Sequence, residues 1–365
     1  MKKILALLLT LTMTVGLLTA CGKKADDKAA NDNKTTPNAG TVTEGGSNDG
    51  AQAGGSDSLK TGLAVITTLK SSKSASADAE GIAQVDSFVA AVLVDANGKI
   101  VDCKIDAAQT KINFNAQGQI TTPLDTVVKT KQELGTDYGM KDRSGIGKEW
   151  NEQADFFANY VIGKTADEVK GIAVNEQGYP TDADLTAGVT VHITDFIEGV
   201  AKAVANAKEL GAKAGDKLGL GVYTEISKSK NASADAEGQA QAYTYYAAAT
   251  FDKDGKITSA ILDASQGNVN FDANGNITSD LNAEVQTKQE LKEAYGMKSK
   301  SGIGKEWYEQ ANAFADYAKG KTAADIKGIA LSEGKPADAD LAASVTVSVG
   351  GLQTVIEKAY SNATK

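Results

Sequence analysis

The chain repeats itself at a spacing of 157 residues, and this duplication limits its possible folds more than any single motif does. The string SASADAEG at 74–81 returns as NASADAEG, and GIGKEW at 145–150 returns unchanged. Between 130–173 and 287–330, 30 of 44 residues are identical. Such a repeat predicts one folded unit used twice, so the positions that both copies retain are those that the shared fold or function requires.

Each copy begins with strand patterns and ends with helix patterns. The stretches 82–95 and 241–252 alternate apolar and polar residues, and each runs into an Asp/Asn-Gly turn of the hairpin type. The later segments that begin with KEW, at 148 and at 305, carry apolar residues at helical spacing and end at a glycine. This order predicts an α+β fold with two tandem repeats, each an antiparallel sheet with helices, after a disordered tether. The predicted boundaries are 1–20 for a signal peptide, 21–58 for a lipidated Cys and linker, 59–212 for the first repeat and 213–365 for the second.

The N-terminal segment predicts export and anchoring. A basic MKK and an apolar run precede Leu-Thr-Ala-Cys, which ends at Cys21 and is typical of a bacterial lipobox. Lipidation of Cys21 would hold the protein at the outer face of a membrane. The Gly-, Asn-, Ala- and Asp-rich stretch that follows cannot bury enough apolar surface to fold. An ordinary signal peptide with a chance cysteine is the alternative to the lipobox. In either case the apolar tail of the cleaved leader, TVGLLTA, could also be released as a signalling peptide.

Composition excludes several kinds of chemistry. The net charge of −9 argues against nucleic acid or an anionic membrane surface as a partner. The single histidine, His192, has Ser348 as its counterpart, so neither copy can repeat a metal cluster or a His-dependent triad. Cys103 has no disulfide partner and is expected to be a buried thiol. The GKT strings at 163–165 and 320–322 lack the earlier glycine of a nucleotide loop, and predict a helix end followed by a Thr cap.

The repeated block YGMK…SGIGKEW is a candidate binding surface with two open interpretations. It could be a structured loop whose Trp packs the next helix onto the sheet. It could also be a pocket wall, in which aromatic and Met side chains cover a flat ligand while a Lys meets an anion. The candidate residues are Met140, Met297, Lys148, Lys305, Trp150 and Trp307.

Both copies close on a Val-Thr-Val phrase just before an amphipathic helix, with Thr190 and Thr346 at equivalent places. The first of these helices is expected to begin near Asp195, with Thr194 or Asp195 as its cap. Free N–H groups at a helix start favour a nearby phosphate, which a Thr hydroxyl just upstream could contact or carry. The competing interpretation is a half-buried strand, in which Val and Thr are favoured for packing.

The lipobox, tether, duplicated α+β unit and final Thr together resemble the FMN-binding domain lipoproteins of Gram-positive bacteria, which include flavinylated lipoproteins of extracellular electron transfer. The resemblance covers nearly the whole chain from about Leu59. In that family a Ser/Thr-Gly-Ala-Ser/Thr motif precedes the last helix, and a dedicated transferase esterifies its final hydroxyl to the phosphate of FMN. The matching segments are Ala187-Gly188-Val189-Thr190 and Ala343-Ser344-Val345-Thr346, which depart from the motif at the leading hydroxyl, at the third position and, in the second copy, at the glycine.

The resemblance implies FMN as cofactor, with Thr190 and Thr346 as attachment points next to Gly188 and Ser344. Thr110 in DAAQT is a lesser candidate, because its counterpart is Gly267. An electron carrier is implied rather than a stand-alone enzyme, since the flavin itself carries the electrons. The implied partners are an FMN transferase, a membrane NADH dehydrogenase or quinol as donor, and extracellular electron acceptors. The alternative hypothesis is a cofactor-free envelope-binding module, in which duplication supplies avidity.

Overall fold

The computed structural model describes residues 57–364, so Cys21, the signal peptide and nearly all of the predicted tether lie outside the described residues. The described residues belong to one compact unit of mixed α+β structure, which confirms the α+β part of the predicted fold. The strands are β1 Ser58–Thr68, β2 Gly81–Val94, β3 Ile100–Phe114, β4 Lys208–Lys213, β5 Lys217–Glu225, β6 Gly238–Phe251, β7 Ile257–Phe271, β8 Leu331–Ser332 and β9 Lys335–Pro336. The α-helices are α1 Lys131–Leu134, α2 Trp150–Tyr160, α3 Ala166–Lys170, α4 Ala183–Thr186, α5 Thr194–Ala205, α6 Lys288–Leu291, α7 Trp307–Ala318, α8 Ala323–Lys327, α9 Ala339–Ala342 and α10 Gly350–Ala363. Short 3-10 helices cover Gly135–Tyr138, Lys141–Arg143, Lys292–Tyr295 and Lys298–Lys300.

The longer strands build two antiparallel sheets. The first has the order β3-β2-β1-β4 and the second has the order β5-β6-β7, while β8 and β9 form a separate short hairpin. The predicted hairpin turns are confirmed between β2 and β3 and between β6 and β7. Gly98 and Gly255 occupy them with φ of 77° and 74°, a left-handed conformation that glycine adopts without steric cost. We call residues 57–212 the first half and residues 213–364 the second half.

The two sheets pack face to face, and helices cover their outer faces. Side chains alternate along each strand, so Val89 and Tyr246 point between the sheets while Phe88 and Tyr245 point outward. Between the sheets, the rings of Phe114 and Phe271 stack with their centroids 4.2 Å apart. The outer cores lie under α2 and α5 in the first half and under α7 and α10 in the second. The layers therefore follow the order helix, sheet, sheet, helix.

The predicted Thr caps of the two short helices α3 and α8 are confirmed, because Thr165 accepts a hydrogen bond from Glu168 N and Thr322 accepts one from Asp325 N. The predicted cap of the last helix of the first half is wrong. That helix, α5, begins at Thr194 with Ile193 at the N-cap and has no side-chain cap.

The strand interpretation of the Val-Thr-Val phrase is also wrong. Residues 187–193 form an irregular turn between α4 and α5, and Thr190 lies in that turn. Cys103 is buried and free as expected, and burial raises the pKa of its thiol. Within the described part of the chain, no helix is long and apolar enough to span a bilayer.

Candidate functional site

A cavity of about 920 Å³ lies beside β1, β2 and β3, and Thr190 lines it. This volume falls within the range of about 300–1,000 Å³ that is typical of small-molecule sites. Residues 281–284 of the second half also line the cavity. From the strands the cavity receives Ile66, Asp86, Phe88 and Gln109. From the helices and loops it receives Lys131, Tyr138, Met140, Ser144, Trp150 and Thr190.

Gln153 fixes the position of Thr190. Its side chain is 0% exposed, and its Oε1 accepts hydrogen bonds from Thr190 N at 2.8 Å and from Thr190 Oγ1 at 3.3 Å. Its Nε2 donates to Ser144 Oγ at 3.2 Å and to the carbonyl of Lys148 at 3.1 Å. A buried side-chain amide whose oxygen and nitrogen are both hydrogen-bonded is held in one orientation. The Gln153 amide therefore ties the Thr190 turn and the Ser144 loop together beside the cavity.

Glu149 holds the loop that carries Met140. The carboxylate is buried before the first turn of α2 and accepts hydrogen bonds from Met140 N at 2.8 Å and from Lys141 N at 3.1 Å. Its own backbone N–H donates to Glu152, which completes a capping box. Met140 is therefore placed in the cavity wall by a buried hydrogen-bond acceptor rather than by regular secondary structure.

The predicted site residues of the first half divide into two groups. Thr190, Met140 and Trp150 line the cavity together. Gly188 and Lys148 lie against the ring of Phe156 instead, and Lys148 Nζ is 5.1 Å from the centroid of that ring. Val189, the third residue of the motif, is 0% exposed and belongs to the core of the first half.

The corresponding turn of the second half has the same hydrogen bonds. Gln310 Oε1 accepts from Thr346 N at 2.8 Å and from Thr346 Oγ1 at 3.1 Å. Its Nε2 donates to Ser301 Oγ and to the carbonyl of Lys305, both at 3.1 Å. Apart from Lys305, whose carbonyl accepts from Gln310, the other predicted residues of this half pack or hydrogen-bond within it. Trp307 is in the core, Met297 packs against that core, and Ser344 donates to the carbonyl of Leu341.

The lesser candidate, Thr110, lies on β3 with its side chain 1% exposed. Its Oγ1 has no hydrogen-bond partner among the described residues. Because the side chain is enclosed, a transferase could reach its hydroxyl only if the surrounding structure opened.

Charged side chains of both signs line the cavity. Lys131 is held by aromatic rings, with its Nζ 4.8 Å from the centroid of Tyr138 and 5.1 Å from that of Trp150. A cation bordered by two aromatic rings suits a flat ligand that carries negative charge. The described residues contain no group of three or more side chains that could bind a metal ion. The other cations are Lys70 and Arg143, and the carboxylates are Asp86, Asp195, Glu198 and Glu284.

Sequence reasoning missed Gln153, Glu149 and Lys131, although each has an identical counterpart in the second copy. Gln153 carried a readable signal, since it follows Trp150 by three positions on the buried face of α2, where an apolar residue is the usual choice. Nothing in the sequence indicated that residues 281–284 of the second half would border the site.

Comparison with known proteins finds a match over a short segment of the chain. No family model matches the chain, and no solved structure matches it. A segment of 42 residues, 12% of the chain, is 50% identical to a chlorophenol reductase from Desulfitobacterium hafniense. The match covers 13% of that reductase, so the similarity is confined to a short segment and does not show that the two proteins belong to one family.

Proposed function

We propose that the protein is a surface-anchored flavoprotein that holds FMN in the cavity beside Thr190 and acts as an electron carrier. The observation that carries this proposal is the Thr190 hydroxyl, which is positioned by Gln153 at the edge of a cavity lined by aromatic rings, a thioether and charged side chains of both signs. In this assignment Trp150, Tyr138 and Met140 cover the flat ring system. Lys131 would offset negative charge on the bound flavin, and bound FMN would supply the redox chemistry.

Covalent attachment would form a bond between Thr190 Oγ1 and the phosphorus of the FMN phosphate. That phosphorus must lose another substituent, so the co-substrate of the transferase would be a flavin dinucleotide. A nucleoside monophosphate leaves, and the Thr hydroxyl gives up its proton to solvent. Esterification removes the 3.3 Å hydrogen bond from the hydroxyl to Gln153, while the 2.8 Å bond from the backbone N–H persists. The turn would therefore keep its position after attachment.

We further propose that 59–212 and 213–365 are tandem units of one duplicated fold. The same order of three strands followed by helices in both halves supports this, together with the identical Gln–Thr contacts. The unit would be tethered through lipidated Cys21 at the outer face of the membrane. It would receive electrons from a membrane NADH dehydrogenase or quinol and pass them to extracellular acceptors. The short match to a protein named as a reductase is consistent with a redox role.

The test is flavin retention after denaturation. The mature chain is co-expressed with an FMN transferase, denatured, separated from free flavin and examined for flavin absorbance. We expect the wild type and Thr190→Ser to retain flavin, because both present a hydroxyl, and Thr190→Ala to lose it. A wild-type chain without colour would contradict the proposal and favour the cofactor-free envelope-binding module.

A further inference from the structure

We propose that flavin binding is confined to the first half, because a tyrosine cluster and a buried lysine fill the corresponding space of the second half. The tyrosine cluster consists of Tyr223, Tyr243 and Tyr245 on β5 and β6. This inference rests on the proposed function, since it assigns the half that takes the flavin and the residues that decide it. Thr346 is then a retained hydroxyl without a ligand site beside it.

The tyrosine cluster stands where the first half has its cavity wall. At the repeat spacing of 157 residues, its members correspond to Ile66, Asp86 and Phe88, and all three of those residues line the cavity. Tyr223 and Tyr243 therefore each add a phenol ring, and Tyr245 adds a hydroxyl to the ring already present. The centroids of Tyr243 and Tyr245 are 4.6 Å apart, and those of Tyr223 and Tyr245 are 6.3 Å apart. The three rings form one continuous packed layer.

Tyr245 fills the space at the start of the last helix. A Cβ atom placed on Gly351, in the first turn of α10, would come within 2.4 Å of the Tyr245 ring. The counterpart of Gly351 in the first half is Asp195, which lines the cavity. There the equivalent ring, Phe88, lies one turn further along the helix against Gly199, where an added Cβ atom would come within 2.2 Å of it. The first half thus presents Asp195 to the cavity at the helix position that the Tyr245 ring covers in the second.

Lys288 closes the rest of the space. It is 3% exposed, and its Nζ donates a hydrogen bond to the hydroxyl of Tyr243. The same Nζ lies 4.3 Å from the centroid of Tyr295 and 5.0 Å from that of Trp307. Burial lowers the pKa of this ammonium to about 7. Its counterpart Lys131 is only half-buried and faces the cavity.

A hydrogen bond fixes the remaining wall of this closed space. The hydroxyl of Tyr295 donates to Gln266 Oε1 at 3.1 Å, and the counterparts of this pair, Tyr138 and Gln109, both line the open cavity. The polar groups that could meet a ligand in the first half are thus paired with one another in the second. A flavin could enter only by displacing a buried lysine and several packed rings, each at a cost in free energy.

The experiment measures covalent flavin per denatured chain after co-expression with the transferase. We expect a ratio of one for the wild type and for Thr346→Ala. The variant Tyr223→Ile/Tyr243→Asp/Tyr245→Phe restores the residues of the first half, and we expect its ratio to rise to two. Adding Thr346→Ala to that variant should return the ratio to one.

Each outcome has a distinct meaning. A wild-type ratio of zero overturns the proposed function itself. A wild-type ratio of two, falling to one in Thr346→Ala, overturns this inference and leaves the proposed function intact. A triple variant that unfolds cooperatively but stays at one flavin contradicts the role given to the tyrosine cluster. Should the triple variant fail to fold, the wild-type and Thr346→Ala ratios still decide the question.

Discussion

Gly188 and Phe156 fit each other as a pair, and so do their counterparts. A Cβ atom on Gly188 would lie 2.3 Å from the Phe156 ring, so the ring or the turn would have to shift. In the second half the equivalent residues are Ser344 and Ala313, so a small side chain gives the serine the room that the phenylalanine denies the glycine. The smaller neighbour, Ala313, therefore explains why the second motif can have a serine where the first has a glycine.

We expect Gly188→Ser to lower the free energy of unfolding by about 1–3 kcal/mol, because the added side chain overpacks against the Phe156 ring. In a Phe156→Ala background the same change should cost much less, since the ring is gone. Urea denaturation of the two single variants and the double variant measures the coupling. Strictly additive effects would show that the two residues do not exclude each other.

The buried amides provide a second residue-scale prediction with a matched control. Gln153→Ala and Gln310→Ala should each lower stability by about 1–3 kcal/mol, because each leaves buried polar groups unpaired. Only Gln153→Ala should also reduce flavin loading, because Thr190 lines the cavity while the tyrosine cluster is proposed to fill the space beside Thr346. Loading and urea denaturation are measured on the same preparations. Equal loss of flavin in both variants would contradict the assignment to Thr190.

At the scale of elements, a buried carboxylate joins β3 to α1. Asp106 is 3% exposed and accepts hydrogen bonds from Ala107 N at 2.7 Å and from Gln132 N at 3.1 Å. Desolvation outweighs these bonds and raises its pKa to about 7. Asp263 repeats the arrangement between β7 and α6, and its pKa is also raised to about 7 for the same reason.

A carboxyl whose pKa is higher in the folded state binds its proton more tightly there. These two groups should therefore lower the free energy of unfolding as pH rises from about 4 to about 7, with no further loss above that range. The slope is at most about 1.4 kcal/mol per pH unit for each group. Urea denaturation across this range should give a shallower decline for Asp106→Asn/Asp263→Asn than for the wild type. Parallel curves would rule out titration of these two carboxyls.

Local patterns predicted the elements but not the surroundings of the site. The alternating stretches and Asp/Asn-Gly turns predicted the β2–β3 and β6–β7 hairpins, because both signals are local. The Val-Thr-Val phrase was open to a strand interpretation, since nothing nearby in the sequence shows that Gln153 holds Thr190 in a turn. The three tyrosines can be read from the sequence. Whether they fill the space beside α10 depends on how rings from two strands pack against that helix, and residue spacing in the sequence does not predict this.

On the scale of the whole molecule, the two halves share the core between their sheets. Contacts across this boundary are reciprocal, since Lys202 Nζ pairs with Glu290 at 2.6 Å while Lys358 Nζ pairs with Glu133 at 2.6 Å. Lys358 and Glu133 are the sequence counterparts of Lys202 and Glu290. Neither sheet can expose its inner face without losing apolar burial, so the halves should unfold together.

The two tryptophans report on this cooperativity separately, because Trp150 lies in the first half and Trp307 in the second. Thermal transitions followed by fluorescence in Trp150→Phe and Trp307→Phe should each coincide with the transition seen by circular dichroism. Adding Phe114→Ala removes a ring from between the sheets and should cost about 3–5 kcal/mol. We expect it to shift both fluorescence signals equally. A shift confined to the first half would contradict a shared core.

The attachment point of the flavin is the central claim, and peptide mass spectrometry of the co-expressed, trypsin-digested chain measures it directly. Cleavage at lysines yields one peptide over 171–202 that contains Thr190 and another over 328–358 that contains Thr346. We predict that the first carries the added mass of FMN in phosphoester linkage and that the second is unmodified. FMN on the second peptide alone, or on neither, would contradict the claim.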